Sequence, residues 1–122
     1  MEEAIARDVV AAAFAVHRAL GPGLLESVYQ TCFVHELTKC GRKVREQVKV
    51  PILYDGIAFP EGLRLDVLVD DLVICELKAA EVMHPVYTAQ LISYLKLTDK
   101  RLGFLINFNV PLIKNGIHRL IR

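Results

Sequence analysis

Three charged residues interrupt the most apolar part of the chain. Within "LRLDVLVDDLVICELKAAE", residues 63–81, Asp66, Glu76 and Lys78 are set into two runs that otherwise read as strands around an Asp70-Asp71 turn. Charged side chains are rarely buried unless they are paired or bind metal. Side chains alternate across a strand, so Glu76 and Lys78 share a face. A two-residue turn at Asp70-Asp71 would set Asp66 opposite Cys75 and send Glu76 to the other face. A three-residue loop, Asp70 to Leu72, pairs Val69 with Val73 and Asp66 with Glu76, and a β-bulge achieves the same shift. Two carboxylates on neighbouring strands, about 5 Å apart at Cβ, repel each other in a dry site. A divalent cation removes that repulsion, and Mg²⁺ favours carboxylate and water ligands. A lysine beside it can orient an attacking water and offset charge on a pentavalent phosphate. An acid, then acid-x-lysine on the adjacent strand, is a layout for phosphodiester hydrolysis. The competing interpretation is a set of solvated charges on an exposed strand face.

Two helical segments bear on that choice. "GLLESVY", residues 23–29, places Glu26 in the first turn of a helix, with Tyr29 one turn later. A helix N-terminus favours an anion, which alone could account for Glu26. The Gly21-Pro22-Gly23 break lets this helix start close to the sheet. "QLISY" places Gln90 and Tyr94 four apart on one helix face. Taken singly, Gln90 reads as a partly solvated edge residue and Tyr94 as core.

The elements that must hold these residues follow from periodicity. Ile5, Val9, Ala12, Val16 and Leu20 form one stripe of a helix over 2–20. A second helix spans roughly 24–39 and ends at Gly41. Val44, Val48, Val50, Ile52 and Tyr54 alternate with Arg45, Gln47 and Lys49 in a half-buried strand closed by Asp55-Gly56. Strands follow at about 62–69 and 73–79. "HPVYTAQLISYLKL" is a third helix with Pro85 in its first turn. "LGFLINF", residues 102–108, is a continuous apolar run suited to an interior strand. "IHRLI" is a short last strand. The order α, α, β, β, β, α, β, β gives an antiparallel meander followed by a right-handed βαβ unit, hence an α/β protein with a mixed β-sheet flanked by helices.

Composition narrows the function classes. The chain has 122 residues, 53% of them hydrophobic, which fits one domain over 1–122 with a sizeable core. A net charge of +1 gives no global signal for nucleic acid, so any such surface is local. The basic stretch Arg42, Lys43, Arg45 and Lys49 reads first as a solvated strand face and second as a phosphate track. Cys32, Cys40 and Cys75 show no CxxC spacing, which fits a reducing, cytoplasmic setting better than a disulfide framework. The histidines show no metal-binding spacing. No run approaches the roughly 20 apolar residues of a membrane span.

Together these motifs resemble the PD-(D/E)xK nuclease superfamily and, more narrowly, the small bacterial and archaeal GxxExxY proteins assigned to it. The resemblance covers nearly the whole chain. Gly23, Glu26 and Tyr29 meet the name motif. Asp66 and Glu76-Leu77-Lys78 meet the core motif, with Leu65 where a proline often stands. Gln90 and Tyr94 meet the QxxxY motif shared with RecB-like nucleases. "GFLINFN" and "IKNGIHR" match the closing segment. The resemblance implies a restriction-endonuclease-like αβββαβ core. It implies that Asp66, Glu76 and Glu26 ligate Mg²⁺ or Mn²⁺ with the Leu77 carbonyl, and that Lys78 is the catalytic lysine. Gln90, Tyr94 and Tyr29 would support the site or touch the nucleic-acid backbone. The implied activity is metal-dependent hydrolysis of DNA or RNA. The alternative is a non-catalytic nucleic-acid-binding or protein-interaction module on the same fold. A partner chain or a second copy would enlarge the surface that so short a chain offers.

Overall fold

The computed structural model describes residues 1–122. Two helices open the chain, α1 (Glu2–Leu20) and α2 (Glu26–Lys39). Three strands follow, β1 (Val44–Tyr54), β2 (Ile57–Val69) and β3 (Val73–Lys78), then α3 (Pro85–Leu97), β4 (Leu102–Asn107), a short 3₁₀ turn (Ile113–Asn115) and β5 (Ile117–Ile121). The strands lie side by side in chain order, β1 to β5, and form one mixed sheet. Only β3 and β4 run parallel, because α3 carries the chain back between them.

Each face of the sheet has its own apolar layer. The α1 stripe Ile5, Val9, Ala12, Ala13 and Val16 and the α2 residues Phe33 and Leu37 pack on Val67, Val69, Val73, Cys75, Leu77, Phe104 and Ile106. On the other face Leu91 and Leu95 of α3 pack on Leu63, Leu65, Leu68, Ile74 and Leu105. Every residue of β4 is buried, as an apolar run covered on both sides requires. Gly103 sets how closely α3 approaches: a Cβ there would come within 3.0 Å of Leu91 Cδ1.

The principal departure from the periodicity is β2. It begins at Ile57 instead of about 62, because Tyr54, Leu53 and Ile52 pair with Ile57, Ala58 and Phe59 across the Asp55-Gly56 turn. Pro60 and Gly62 read as breakers, but they fall where the register shifts between Val50 and Ile52, so the ladder accommodates them. The outer part of this hairpin leaves Leu53, Tyr54, Ile57 and Phe59 exposed.

The basic stretch is spoken for within the fold. Arg42 pairs with Asp8 and Asp70, Lys43 and Arg45 with Asp71, and Lys49 with Glu61. These pairs favour the solvated-face reading over a free phosphate track. No helix is long and apolar enough to cross a membrane.

Candidate active site

The site forms where β2 and β3 part. Their ladder runs Val69–Val73, Leu68–Ile74 and Val67–Cys75 and then stops. This is the register of the three-residue loop. Asp70 and Asp71 both adopt the left-handed conformation, which Asp enters more readily than most residues. Arg42 and the Lys43 N–H hold the Asp70 carboxylate, and the Leu72 N–H donates to the Val69 carbonyl at 3.0 Å.

Beyond Cys75, side chains replace the ladder. The Asp66 N–H donates to Glu76 Oε2 at 2.8 Å, and the Leu77 N–H donates to Asp66 Oδ2 at 2.9 Å. Each acid therefore satisfies a backbone group on the other's strand. This corrects a detail of the alternation argument. Leu63 and Leu65 pack in the α3 layer while Val67 and Val69 pack in the α1/α2 layer, although strict alternation would put all four on one face. The switch falls on Asp66, whose carboxylate reaches across the gap between strands. Opposite it, Gln47 has φ 49° and is passed over in the β1–β2 register, which runs from Glu46–Val67 to Val48–Leu65. Gln30 of α2 pins this kink, accepting from Gln47 Nε2 at 2.8 Å and donating to Glu46 Oε1 at 3.1 Å.

The electrostatics follow from that packing. Glu76 is only 4% exposed. Burial first, and the Asp66 charge second, push its pKa up to about 8, against the downward pull of the Asp66 N–H and Lys78. Glu26 is exposed at the start of α2. Even so, partial loss of solvent and then the Asp66 charge raise its pKa, while Lys78 lowers it. It is therefore a rim residue within electrostatic reach of Asp66 and is not enclosed with it. The half-buried Lys78 places Nζ 4.5 Å from the centroid of the Tyr87 ring, without an ion pair to Asp66 or Glu76.

The other expected residues divide. Tyr94 is half-buried, and burial, then the Glu76 and Asp66 charges, raise its pKa, so it lies against the site. Gln90 is exposed on α3, one turn before Tyr94. Tyr29 is wholly buried and stacked on Phe108 at 4.7 Å. Its hydroxyl donates to the Gly21 carbonyl at 2.6 Å and accepts from the Leu24 N–H at 3.1 Å. It ties down the loop that launches α2 and positions Glu26, and burial rules out its contact with nucleic acid.

Three supporting residues escaped the sequence reading. Asn107, 2% exposed, accepts from the Ala80 N–H at 3.0 Å and donates to the Ala80 carbonyl at 2.9 Å, clamping the chain just past Lys78. A polar residue inside "GFLINF" was the available signal. Tyr87 shares the α3 stripe of Leu91 and Tyr94, a spacing that could have pointed to it. Gln30 offered none, since its partners depend on the kink at Gln47.

The donor set bears on the implied metal. No three His, Cys, Asp or Glu side chains are gathered closely enough to cage an ion, so Glu26, Asp66 and Glu76 do not form the three-carboxylate cluster expected of them. Asp66 and Glu76 each commit one oxygen to a backbone N–H. No buried side-chain oxygen lacks a partner, so their other oxygens open to solvent. Two such oxygens suit a hard cation that keeps several waters and do not suit a closed four-ligand zinc site.

Compared with known proteins, residues 3–120 match a family model described as the PD-(D/E)XK nuclease superfamily. No curated protein and no solved structure matches the chain.

Proposed function

Because the chain belongs to the PD-(D/E)XK nuclease superfamily, we propose that it is a divalent-metal-dependent nuclease hydrolysing phosphodiester bonds in DNA or RNA, with residues 1–122 as one nuclease-like domain. The observation that carries the proposal is the reciprocal bonding of Asp66 and Glu76 at the end of the β2–β3 ladder, with Lys78 on the same strand as Glu76. Two acids this close are costly in a metal-free protein, and a binding module has no need of them. The narrower likeness to the GxxExxY proteins rests on Gly23, Glu26 and Tyr29.

Asp66 and Glu76 would hold Mg²⁺ or Mn²⁺, with the Leu77 carbonyl beside them. Such an ion supplies Lewis-acid stabilisation of charge on the phosphate. Glu26, at the rim, adds negative charge. Glu76 keeps its proton near neutral pH in the metal-free protein and must release it to act as a ligand. The Lys78 ammonium orients the attacking water and meets charge developing on the phosphate. Tyr94 and Gln90 line the α3 side, where a nucleic-acid backbone would lie.

A cleavage panel of single-stranded, duplex and branched DNA and of RNA, with Mg²⁺, with Mn²⁺ and with chelator, tests the proposal. Metal-dependent cleavage of at least one substrate is expected. Nucleic-acid binding without cleavage at any metal concentration favours the non-catalytic module.

A further inference from the structure

The Lys78 ammonium has an unexpected neighbour. With Asp66 and Glu76 at hand, an ion pair is the obvious resting place for it. Instead its Nζ lies 4.5 Å from the Tyr87 ring centroid, within the roughly 6 Å range of a cation–π contact. The carboxylates are meanwhile satisfied by backbone N–H groups. The ring itself is braced. His84 Nδ1 accepts from the Val86 N–H at 3.0 Å and so caps α3, and the His84 ring meets Tyr87 edge-on at 6.3 Å. Tyr87 also packs against the α3-side core.

We infer that Tyr87 is a positioning residue for Lys78: its ring face holds the ammonium above the site, off the two carboxylates and ready to meet a phosphate. The inference rests on the nuclease reading, in which Lys78 is the catalytic lysine. A lysine side chain has a flexible four-carbon stem, so most of its rotamers point the charge elsewhere. A ring that fixes one of them lowers the cost of reaching the productive geometry. Because the ring keeps the ammonium from closing onto Asp66 and Glu76, the free oxygens of both stay open to a cation.

Phe keeps the ring face and Leu removes it, so the two variants separate the contact from general packing. NMR of the Lys78 ε-methylene group, assigned by loss of the signal in Lys78→Arg, reads the contact directly through the ring current. Steady-state cleavage of the best panel substrate reads its consequence. Wild type and Tyr87→Phe are expected to show an upfield-shifted Lys78 signal and kcat values within about threefold of each other. Tyr87→Leu should return the signal to the position of a solvated lysine and lower kcat about tenfold at unchanged KM, which corresponds to about 1.4 kcal/mol. Met83→Ala, a packing change on the same face, serves as control and should lower the melting temperature without moving the Lys78 signal. An unshifted Lys78 signal in the wild type, or kcat for Tyr87→Leu equal to wild type, overturns the inference while leaving the nuclease reading intact. Equal kcat loss in Tyr87→Phe and Tyr87→Leu overturns it too, because the hydroxyl and not the ring would then matter. A shifted signal in a wild type that cleaves nothing sinks the nuclease reading and the positioning role with it, leaving only the contact.

Discussion

Asp66 and Glu76 each bond the backbone of the other's strand: Glu76 Oε2 accepts the Asp66 N–H and Asp66 Oδ2 accepts the Leu77 N–H. Two acids are thereby held side by side in place of a ladder rung. The hydrogen bonds offset part of their repulsion but do not abolish it. Most of what can be tested follows from that balance.

The first consequence is a pH-dependent stability. Folded Glu76, raised from its usual 4.5 to about 8, binds its proton more tightly than in the unfolded chain. Between those two pH values the folded state carries more protons, so the metal-free protein loses stability as pH rises through that window. The loss is on the order of 4–5 kcal/mol. Glu76→Gln keeps an oxygen for the Asp66 N–H and removes the titration. Urea unfolding at pH 5 and pH 8 should therefore show a steeper fall for wild type than for Glu76→Gln. Parallel profiles would mean that Glu76 is not the group responsible.

Asp66 should respond differently to two substitutions. Asp66→Asn retains an oxygen for the Leu77 N–H and deletes the charge beside Glu76, so the metal-free protein should be as stable as wild type or more so. Asp66→Ala leaves that N–H without its acceptor and should cost about 1–3 kcal/mol. Chemical denaturation of both variants at pH 8 with chelator decides the matter. Equal destabilisation of the two would show that the carboxylate charge itself supports the fold.

Metal should reverse the penalty. At a hundredfold excess over its dissociation constant, Mg²⁺ or Mn²⁺ should stabilise the wild type by about 2.7 kcal/mol. Calorimetric melts at constant ionic strength should show no such gain for Glu76→Gln. Glu26→Gln should weaken the metal response without abolishing it, because Glu26 sits at the rim. Complete loss in Glu26→Gln would promote it to a direct ligand.

Much of this was legible in residue types and spacing. Alternation, with the requirement that Asp66 and Glu76 act together, narrowed the hairpin to an Asp70–Leu72 loop or a bulge, and the Val69–Val73 pair selects the loop; β4 announced itself as an unbroken apolar run. The face switch at Asp66 was not legible. It depends on Gln47 adopting a positive φ, which Gln30 secures from a helix that is distant in sequence. Tyr87 and Asn107 were missed for a related reason: their partners, Lys78 and Ala80, become neighbours only once α3 and β4 fold back on β3. The start of β2 at Ile57 was not legible, because the strand runs through Pro60 and Gly62 only by virtue of a register shift in its pairing with β1.

Tyr29 offers a test of indirect support. Tyr29→Phe keeps the stack on Phe108 and removes the hydroxyl that joins Gly21 to Leu24. It should cost about 1–2 kcal/mol of stability and weaken metal binding through a displaced Glu26. In a Glu26→Gln background the effect on metal binding should disappear while the stability cost remains, as titration calorimetry and denaturation would show. A persisting metal effect would mean that Tyr29 acts by another route.

The central claim is that Asp66, Glu76 and Lys78 together hydrolyse a phosphodiester bond, and single-turnover cleavage with Mg²⁺ or Mn²⁺ by wild type and Lys78→Ala tests it most directly. Lys78→Ala should bind metal and melt within a few degrees of wild type, yet cleave at least a hundredfold more slowly, a loss of about 2.7 kcal/mol or more. Cleavage by Lys78→Ala at the wild-type rate would contradict the account.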